Sequence, residues 1–243
     1  GQNDTNGNES YLGYMIKEAC KKLDNDVDFS QYDNDGDGEL EYVYVYYAGK
    51  GEHDTGITSL IWPQSWYMNS TNAGKFEVDG VVVDKFATSN ELQGSGKFVG
   101  IGIFVHEFSH VLGLPDLYAT TYNQSAFTPG AWSVLANGPY NNNGRTPPHY
   151  SAYELSELGW LDLKELDKPD DVTLSPVSEN QGYRISTDKD NEYYVFENRQ
   201  KEGWDKYIPG HGMLVWHIDY NESRWTNNLV NTNASHQCVD IVE

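Results

Sequence analysis

Residues 105–116 read "VHEFSHVLGLPD", and the fold is interpreted outward from this stretch. His106 and His110 are four positions apart, so on an α-helix their side chains share one face. The surrounding residues 97–113 are apolar around most of the helix circumference, which predicts a helix buried on nearly all sides. Both imidazoles would then point toward one location, as the ligands of a tetrahedral zinc ion do.

The residues around the two histidines supply the other parts of a catalytic metal site. Glu107 would lie close enough to a water at the metal to act as general base. Gly113 accepts a positive φ, so the chain can reverse after the helix, and Pro115 stiffens the return. The reversal would carry Asp116 to the same metal as the third protein ligand, leaving a fourth position for water or substrate. This order of residues predicts a zinc (Zn2+) hydrolase.

The third ligand has competitors in the sequence. Glu154 and Glu157 lie in "HYSAYELSELGW", a predicted later helix, and either would give a thermolysin-like ligand set. Asp116 would then accept a hydrogen bond from a metal-bound imidazole. Asp116 is favoured as the ligand, because the glycine turn otherwise has no obvious purpose. In the non-metal alternative, His106 and His110 are core histidines bonded to carbonyls, but burying them beside a carboxylate is costly without a cation.

Composition indicates a folded, acidic protein. The 243 residues are 38% hydrophobic and 14% aromatic, which is enough for a substantial core. The formal charge of −21 would repel nucleic acid and anionic membranes. The sequence contains no apolar run that approaches membrane-spanning length. Because it begins with Gly1 and not with Met, we expect a processed or trimmed chain.

An acidic loop at residues 33–41, "DNDGDGELE", predicts a structural calcium (Ca2+) site. Carboxylates alternate along it and Gly38 permits the sharp turn, as in the first half of an EF-hand loop. The twelfth position is Tyr44 and not a bidentate glutamate, so another carboxylate must complete the shell. The candidate calcium ligands are Asp33, Asp35, Asp37, Glu39 (through its carbonyl) and Glu41. The alternative is a solvated acidic turn, but carboxylates this close repel one another without a cation.

The order of predicted elements indicates an α+β protein with a mixed sheet. An amphipathic helix over residues 11–25 is followed by strands in 39–51 and 76–89, and then by the metal-site helix. Short β runs begin near residue 172, after the turn-rich "DKPDD". We therefore expect a catalytic domain over 1–167 and a β-rich region over 168–243. Residues 81–88 are expected to lie beside the cleft and bind substrate by strand addition.

Five stretches together resemble the immune inhibitor A family of secreted bacterial zinc endopeptidases. They are "DFSQYDNDGDGELEYVYVYYAGKG", "IWPQSW", "HEFSHVLGLPDLY", "GAWSVLANGPYNNNGRTPPHYSAYELSELGW" and "ENRQKEGWDKYIPGHGMLVWHIDY". The resemblance implies a zincin fold with a metzincin-like HExxHxxGxxD site, a wall-forming turn beneath the metal, and a propeptide removed on activation. It also implies protein or peptide substrates and a secreted or cell-surface location in a bacterium. We expect the molecule to be a monomer.

One position departs from the family pattern. Where related proteases usually carry a methionine in the segment matching "AWSVLANG", this chain has Leu135. Leucine nearly conserves the volume of methionine but lacks its sulfur. The departure concerns the apolar base of the site and not its chemistry.

Some questions stay open at the level of sequence. Cys20 and Cys238 form either one long-range disulfide or two separate thiols, because spacing alone does not decide pairing. Tyr118, Tyr140 and Tyr150 are each eligible to donate to the oxyanion at the scissile carbonyl, although core packing is the commoner role. A non-enzymatic alternative is a calcium-stabilised adhesion or glycan-binding module with a vestigial metal helix, against which the intact glutamate of the motif argues.

Overall fold

The computed structural model of the chain describes residues 10–121 and 129–242. It divides into two compact units, of which the first ends at Val99 and the second begins at Gly100. Each unit contains both helices and sheets, so the predicted mixed α+β class is confirmed. The boundary expected between residues 167 and 168 falls inside the second unit and stays a prediction. Among the described helices, none has the length and apolar character needed to cross a bilayer.

The first unit packs one long helix on short strands. Its elements are α1 (Ser10–Leu23), β1 (Val43–Lys50), α2 (Glu52–Thr55), β2 (Ser65–Tyr67), β3 (Phe76–Val78), β4 (Val81–Val83) and β5 (Lys85–Leu92), with 3-10 turns at Phe29–Tyr32 and Met68–Ser70. Leu12 and Ile16 of α1 are buried in one core with Phe76 and Phe86, which lie on β3 and β5. This confirms the predicted amphipathic helix, and its apolar face packs on strands.

The strand region before the metal-site helix differs from its prediction. Residues 76–89 form a β3–β4 hairpin and then β5, because Asp79 and Gly80 both have positive φ and turn the chain. β5 is the middle strand of a three-stranded sheet, parallel to β1 and antiparallel to β2. Substrate addition along residues 81–88 is therefore wrong, since β4 pairs with β3 and both edges of β5 are hydrogen-bonded within the protein.

The second unit is built on a five-stranded sheet with strand order β10-β9-β8-β7-β6, in which only the β6–β7 pair is parallel among the described strands. Its elements are α3 (Gly102–Val111), α4 (Asn141–Gly144), α5 (Ala152–Glu157), β6 (Lys164–Glu165), β7 (Tyr183–Ser186), β8 (Glu192–Arg199), β9 (Gly212–Asp219), α6 (Glu222–Thr226) and β10 (Val239–Ile241), with 3-10 turns at Gly130–Trp132, Gly138–Tyr140, Val177–Glu179 and Gly203–Tyr207. The predicted β run "DVTLSPV", residues 171–177, is not a strand. Pro176 makes only an isolated bridge to Asn198, which is consistent with proline having no backbone N–H to donate to a neighbouring strand.

The core of the second unit joins the sheet to the segments around α3. Trp216 and Ile218 of β9 are fully buried in one cluster with Leu117 and Leu135. α3 itself is less enclosed than predicted, because only one face packs inward. The opposite face carries Ile101, Phe104, Phe108 and Leu112, each between 37% and 44% exposed.

The two cysteines are free buried thiols in this structure. Cys20 lies in the core of the first unit and Cys238 in the core of the second. Burial raises the pKa of the Cys20 thiol to about 11, so this thiol is un-ionised at neutral pH. The question that the sequence left open is thereby answered in favour of two separate thiols.

Candidate metal centre

α3 brings the two histidines of the motif together. Their rings lie one turn apart, with centroids separated by 4.8 Å and planes at 80°. After the helix, Gly113 has a φ of 101°, which favours glycine, and the chain reverses there. The reversal returns Asp116 to the same side as the two rings. The structure thus places His106, His110 and Asp116 in one cluster, with one ligand atom of each within 4.8 Å of the others.

Main-chain carbonyls determine the tautomer of both histidines. Nδ1 of His106 lies 2.7 Å from the oxygen of Val134, and Nδ1 of His110 lies 2.7 Å from the oxygen of Leu114. Because a carbonyl oxygen only accepts, each Nδ1 carries a proton and donates. In a neutral imidazole the other nitrogen, Nε2, then presents a lone pair. Such carbonyl partners orient metal-binding histidines in many proteins.

Asp116 completes a set of three electron-pair donors. Its Oδ1 lies 3.4 Å from Nε2 of His106 and 3.2 Å from Nε2 of His110. This oxygen is buried and accepts no hydrogen bond that meets normal geometry from any residue in the described ranges. Two lone pairs and an unsatisfied carboxylate oxygen facing one point are unfavourable unless a cation lies between them. The donor set of two nitrogens and one oxygen fits zinc with an open position.

The electrostatics of the cluster agree with this demand for positive charge. Burial opposes ionisation of His110, but the carboxylate of Asp116 3.2 Å away, together with the charge of Glu107, raises the pKa of His110 to about 9. Burial alone would raise the pKa of Asp116. The neighbouring His110 and His106 outweigh burial and lower the pKa of Asp116 below its usual range. Without a metal, the cluster therefore holds a proton near the point where a cation would bind.

Two further side chains border the cluster. Glu107 is buried and follows His106 on α3. The ring of Tyr118 stacks on His106 with centroids 6.3 Å apart. Burial, followed by the charges of Asp116 and Glu107, raises the pKa of Tyr118, so its hydroxyl keeps its proton at neutral pH. Tyr150, in contrast, exchanges a 2.6 Å hydrogen bond with Ser109 and is engaged in the fold.

The structure places neither competing glutamate in the cluster. Glu154 is fully buried, and it accepts hydrogen bonds from the hydroxyl of Ser133 and from the backbone N–H of Ser151 at 2.6 Å. The second of these closes the capping box that begins α5. Glu157 lies at the C-terminal end of the same helix, where burial raises its pKa. Because neither Glu154 nor Glu157 lies in the cluster, Asp116 is the carboxylate beside the two histidines.

Asp116 also has a partner that sequence reasoning missed. Asn228, 112 positions later, accepts from the backbone N–H of Asp116 and donates to its Oδ2, both at 2.7 Å. Nothing in the local pattern of "TNNLVN" signals this role, because the contact depends on how the chain folds. The same limit hid the carbonyl of Val134, which holds His106.

The acidic loop lies in the first unit and forms a second cluster. Carboxylate oxygens of Asp33, Asp35 and Asp37 lie within 4.8 Å of one another. The two oxygens of Asp33 also accept from the backbone N–H groups of Gly36 and Gly38, at 2.8 and 3.0 Å, so the loop curls around this side chain.

The side chains of the other two calcium-ligand candidates, Glu41 and Glu39, point in different directions. Glu41 folds back over the loop, where its Oε1 accepts from the N–H of Asn34 while its Oε2 is buried without a partner among the described residues. The side chain of Glu39 points elsewhere and pairs with Lys75 at 3.0 Å. Its carbonyl, which is the atom expected to serve as a ligand, is not part of the carboxylate cluster.

The cluster on the second unit joins two histidines and a carboxylate beside a glutamate, which are the residue types that metal-dependent hydrolases use. Comparison with known families agrees: residues 12–161 match the family described as "Immune inhibitor A peptidase M6, catalytic domain". The chain belongs to this family of metallopeptidases, and the resemblance inferred from the motifs is confirmed. Membership of the family implies a zinc cofactor.

Two curated relatives carry names that fit the family. Immune inhibitor A of Bacillus thuringiensis subsp. alesti is 26% identical over 183 residues, which cover 63% of this chain and 26% of that protein. Pre-pro-metalloprotease PrtV of Vibrio cholerae serotype O1 is 29% identical over 93 residues, covering 32% of this chain and 10% of that protein. The aligned regions are thus about a quarter or less of the relatives' own length.

Proposed function

We propose that the protein is a zinc-dependent endopeptidase in which His106, His110 and Asp116 hold the metal and Glu107 is the general base. The observation that carries the proposal is the convergence of both Nε2 atoms on Oδ1 of Asp116, while both Nδ1 atoms are occupied by carbonyls. This leaves one buried point where a metal cation would accept an electron pair from all three groups, whereas a single proton bridges only two of them. The family match supports peptide bonds as the target.

The chemistry of the site follows from the positions of the side chains. A zinc ion bound there supplies a Lewis acid that polarises the scissile carbonyl and acidifies water. Glu107 takes a proton from the attacking water and passes it to the leaving amine. Tyr118, which is un-ionised and lies beside Asp116 with its ring stacked on His106, would be the donor to the oxyanion of the tetrahedral intermediate.

Protein or peptide substrates, secretion by a bacterium and a monomeric state are parts of the same proposal. The substrates and the secretion rest on the family match and on the names of the relatives, which include a metalloprotease; the monomeric state stays a prediction. The thermolysin-like alternative is less well supported, because Glu154 is consumed by Ser133 and Ser151. The adhesion-module alternative requires a vestigial metal helix. It is less well supported, because the two histidines, Asp116 and Glu107 are all present and lie together.

The proposal is tested by metal content and cleavage together. Purified protein is expected to contain about one zinc per chain and to cleave an unfolded protein substrate in a way that a chelator abolishes and zinc restores. His106→Ala should lose both metal and activity. Active protein without zinc, or activity that survives complete chelation, would contradict the proposal.

For the first unit, we propose that Asp33, Asp35 and Asp37 bind a structural calcium ion, with Glu41 and the carbonyl of Glu39 completing its shell. The support is the unpartnered Oε2 of Glu41 beside three clustered carboxylates, since calcium takes six to eight oxygen ligands. The cation would offset repulsion among these groups. Calorimetric titration of the metal-free protein with calcium tests this directly, and absence of binding at millimolar calcium would contradict it.

A further inference from the structure

Asn228 lies just after α6, in a backbone conformation that few residues adopt. Its φ is 55°, in the left-handed region where asparagine is tolerated better than most side chains. Its carbonyl accepts from the hydroxyl of Thr120 at 2.6 Å, which anchors the backbone to the segment that follows Asp116. The side chain is therefore presented from a fixed position.

The amide of Asn228 makes two opposed hydrogen bonds to a single residue. Oδ1 accepts from the N–H of Asp116 and Nδ2 donates to Oδ2 of Asp116, each at 2.7 Å. One side chain thereby fixes both the backbone and the carboxylate rotation of Asp116. With Oδ2 engaged, Oδ1 is the oxygen that remains directed at His106 and His110, at 3.4 and 3.2 Å.

An amide is the side chain that suits this contact. It supplies one donor and one acceptor, so a single side chain can bond both the backbone N–H and a carboxylate oxygen of Asp116. A neighbouring contact supports the same arrangement: Asn231 donates to the carbonyls of Leu117 and Val239, at 2.9 and 2.7 Å. Residues 228–231 therefore hold residues 116–117 by two separate asparagines.

We propose that Asn228 is a positioning residue of the metal centre, which fixes Asp116 so that Oδ1 faces the two histidines. Asn228 lies beyond residues 12–161, the part of the chain that matches the catalytic-domain family. The site is thus completed by the segment after α6. The inference rests on the proposed function, because it assigns Asn228 a role toward the metal held by His106, His110 and Asp116.

The test is the metal affinity of Asn228→Gly, measured by competition with a chromophoric chelator. Glycine accepts the same φ, so the variant removes the amide without straining the backbone. Asn180→Gly is the matched control, because Asn180 has the same φ of 55° and is exposed on another loop. Asn228→Gly should weaken zinc binding by about 10- to 100-fold, the usual range for partners of metal ligands. Asn180→Gly should bind zinc as the parent does.

The ligand geometry gives a readout that a merely structural role would not move. In protein loaded with cobalt(II), the visible absorption spectrum reports the coordination of the metal. The spectrum of Asn228→Gly should differ from that of the parent, while the circular dichroism of the metal-free protein and the spectrum of the control variant stay the same. Parental zinc affinity together with a parental cobalt spectrum would overturn the proposal.

A second variant keeps the test decisive if Asn228→Gly does not fold. Asn228→Asp has the same shape and keeps the acceptor for the backbone N–H of Asp116, but it places an oxygen against Oδ2 in place of the donor. Its zinc affinity should also fall, and parental affinity would overturn the proposal. If the parent itself binds no zinc, the proposed function fails; if the parent binds zinc and the Asn228 variants bind it equally, only the positioning role fails.

Discussion

Asp116→Asn should remove most of the stabilisation that zinc gives to the protein. The substitution preserves shape but deletes the charge that faces both histidines, and an amide nitrogen or oxygen replaces Oδ1 at 3.2 Å from Nε2 of His110. Loss of a partner of a metal ligand alone typically weakens binding 10- to 100-fold. For the ligand itself, we therefore expect a rise in the zinc dissociation constant of about 100-fold or more.

The magnitude in a stability assay follows from mass action. At zinc one hundred times above the parent's dissociation constant, the parent gains about 2.7 kcal/mol of unfolding free energy. A variant that binds 100-fold more weakly gains only about 0.4 kcal/mol under the same conditions. The difference of about 2.3 kcal/mol corresponds to a zinc-induced rise in melting temperature that is smaller by about 5 to 9 °C for a chain of this size.

The assay is thermal unfolding with and without zinc, in a Glu107→Ala background that prevents self-digestion. Glu157→Gln is the matched control, because it makes the same carboxylate-to-amide change outside the metal cluster. It should respond to zinc as the parent does. A full zinc response in Asp116→Asn would refute the assignment of the third ligand, and loss of the response in Glu157→Gln would establish the thermolysin-like set.

Three more outcomes are expected. Glu107→Ala should retain zinc but lose about 10²- to 10⁴-fold in kcat/KM on an unfolded protein, since it removes the base and not a ligand; metal loss in this variant would show that the role is misassigned. A hundredfold excess of calcium over its dissociation constant should stabilise the protein by about 2.7 kcal/mol, and this gain should vanish in Asp35→Ala/Asp37→Ala; an equal gain in both would reduce the loop to a solvated turn. In the zinc-free protein the folded-state pKa of His110, about 9, lies above its usual 6.5. The stability that it contributes is therefore complete below pH 6.5 and lost as pH rises toward 9, which urea unfolding in chelator would detect as a decline; a flat profile would contradict this.

Local spacing is what made part of the fold and the ligand cluster predictable. The apolar periodicity of α1 and the four-residue spacing of His106 and His110 both act within one helix, where sequence separation translates directly into position. The glycine turn similarly places Asp116 within a few residues of the histidines. Each of these features depends on neighbours along the chain and not on distant packing.

The sequence of the strand region contains a local turn signal. Asp79 and Gly80 form an Asp-Gly pair between the short runs "FEV" and "VVV", which is a strong hairpin pattern. This pair predicts the turn that separates β3 from β4. The middle position of β5, in contrast, depends on pairing with β1 and β2, more than 17 residues away along the chain in each case. No local pattern specifies which strands become its neighbours.

The orientation of His106 depends on groups that are distant in sequence. Its Nδ1 donates to the carbonyl of Val134. The direction in which Nε2 of His106 points therefore depends on the residues that hold this carbonyl in place. The preceding residue, Ser133, is fully buried and donates its hydroxyl to Glu154. Glu154 is a candidate metal ligand by sequence, but in the structure it holds the segment whose carbonyl orients His106.

A buried arginine side chain connects this segment to the sheet. Arg199 of β8 is fully buried between Glu197 and Asp205, at 3.2 and 2.5 Å, and it also donates to the carbonyl of Trp132 at 3.5 Å. Because removing one partner from a buried ionic group leaves the others uncompensated, these residues hold one another in place. The ion group thus fixes the start of the segment that ends at the carbonyl facing His106. Residues 105–116 supply the metal ligands, whereas the buried polar groups of the second unit set the angles at which those ligands meet.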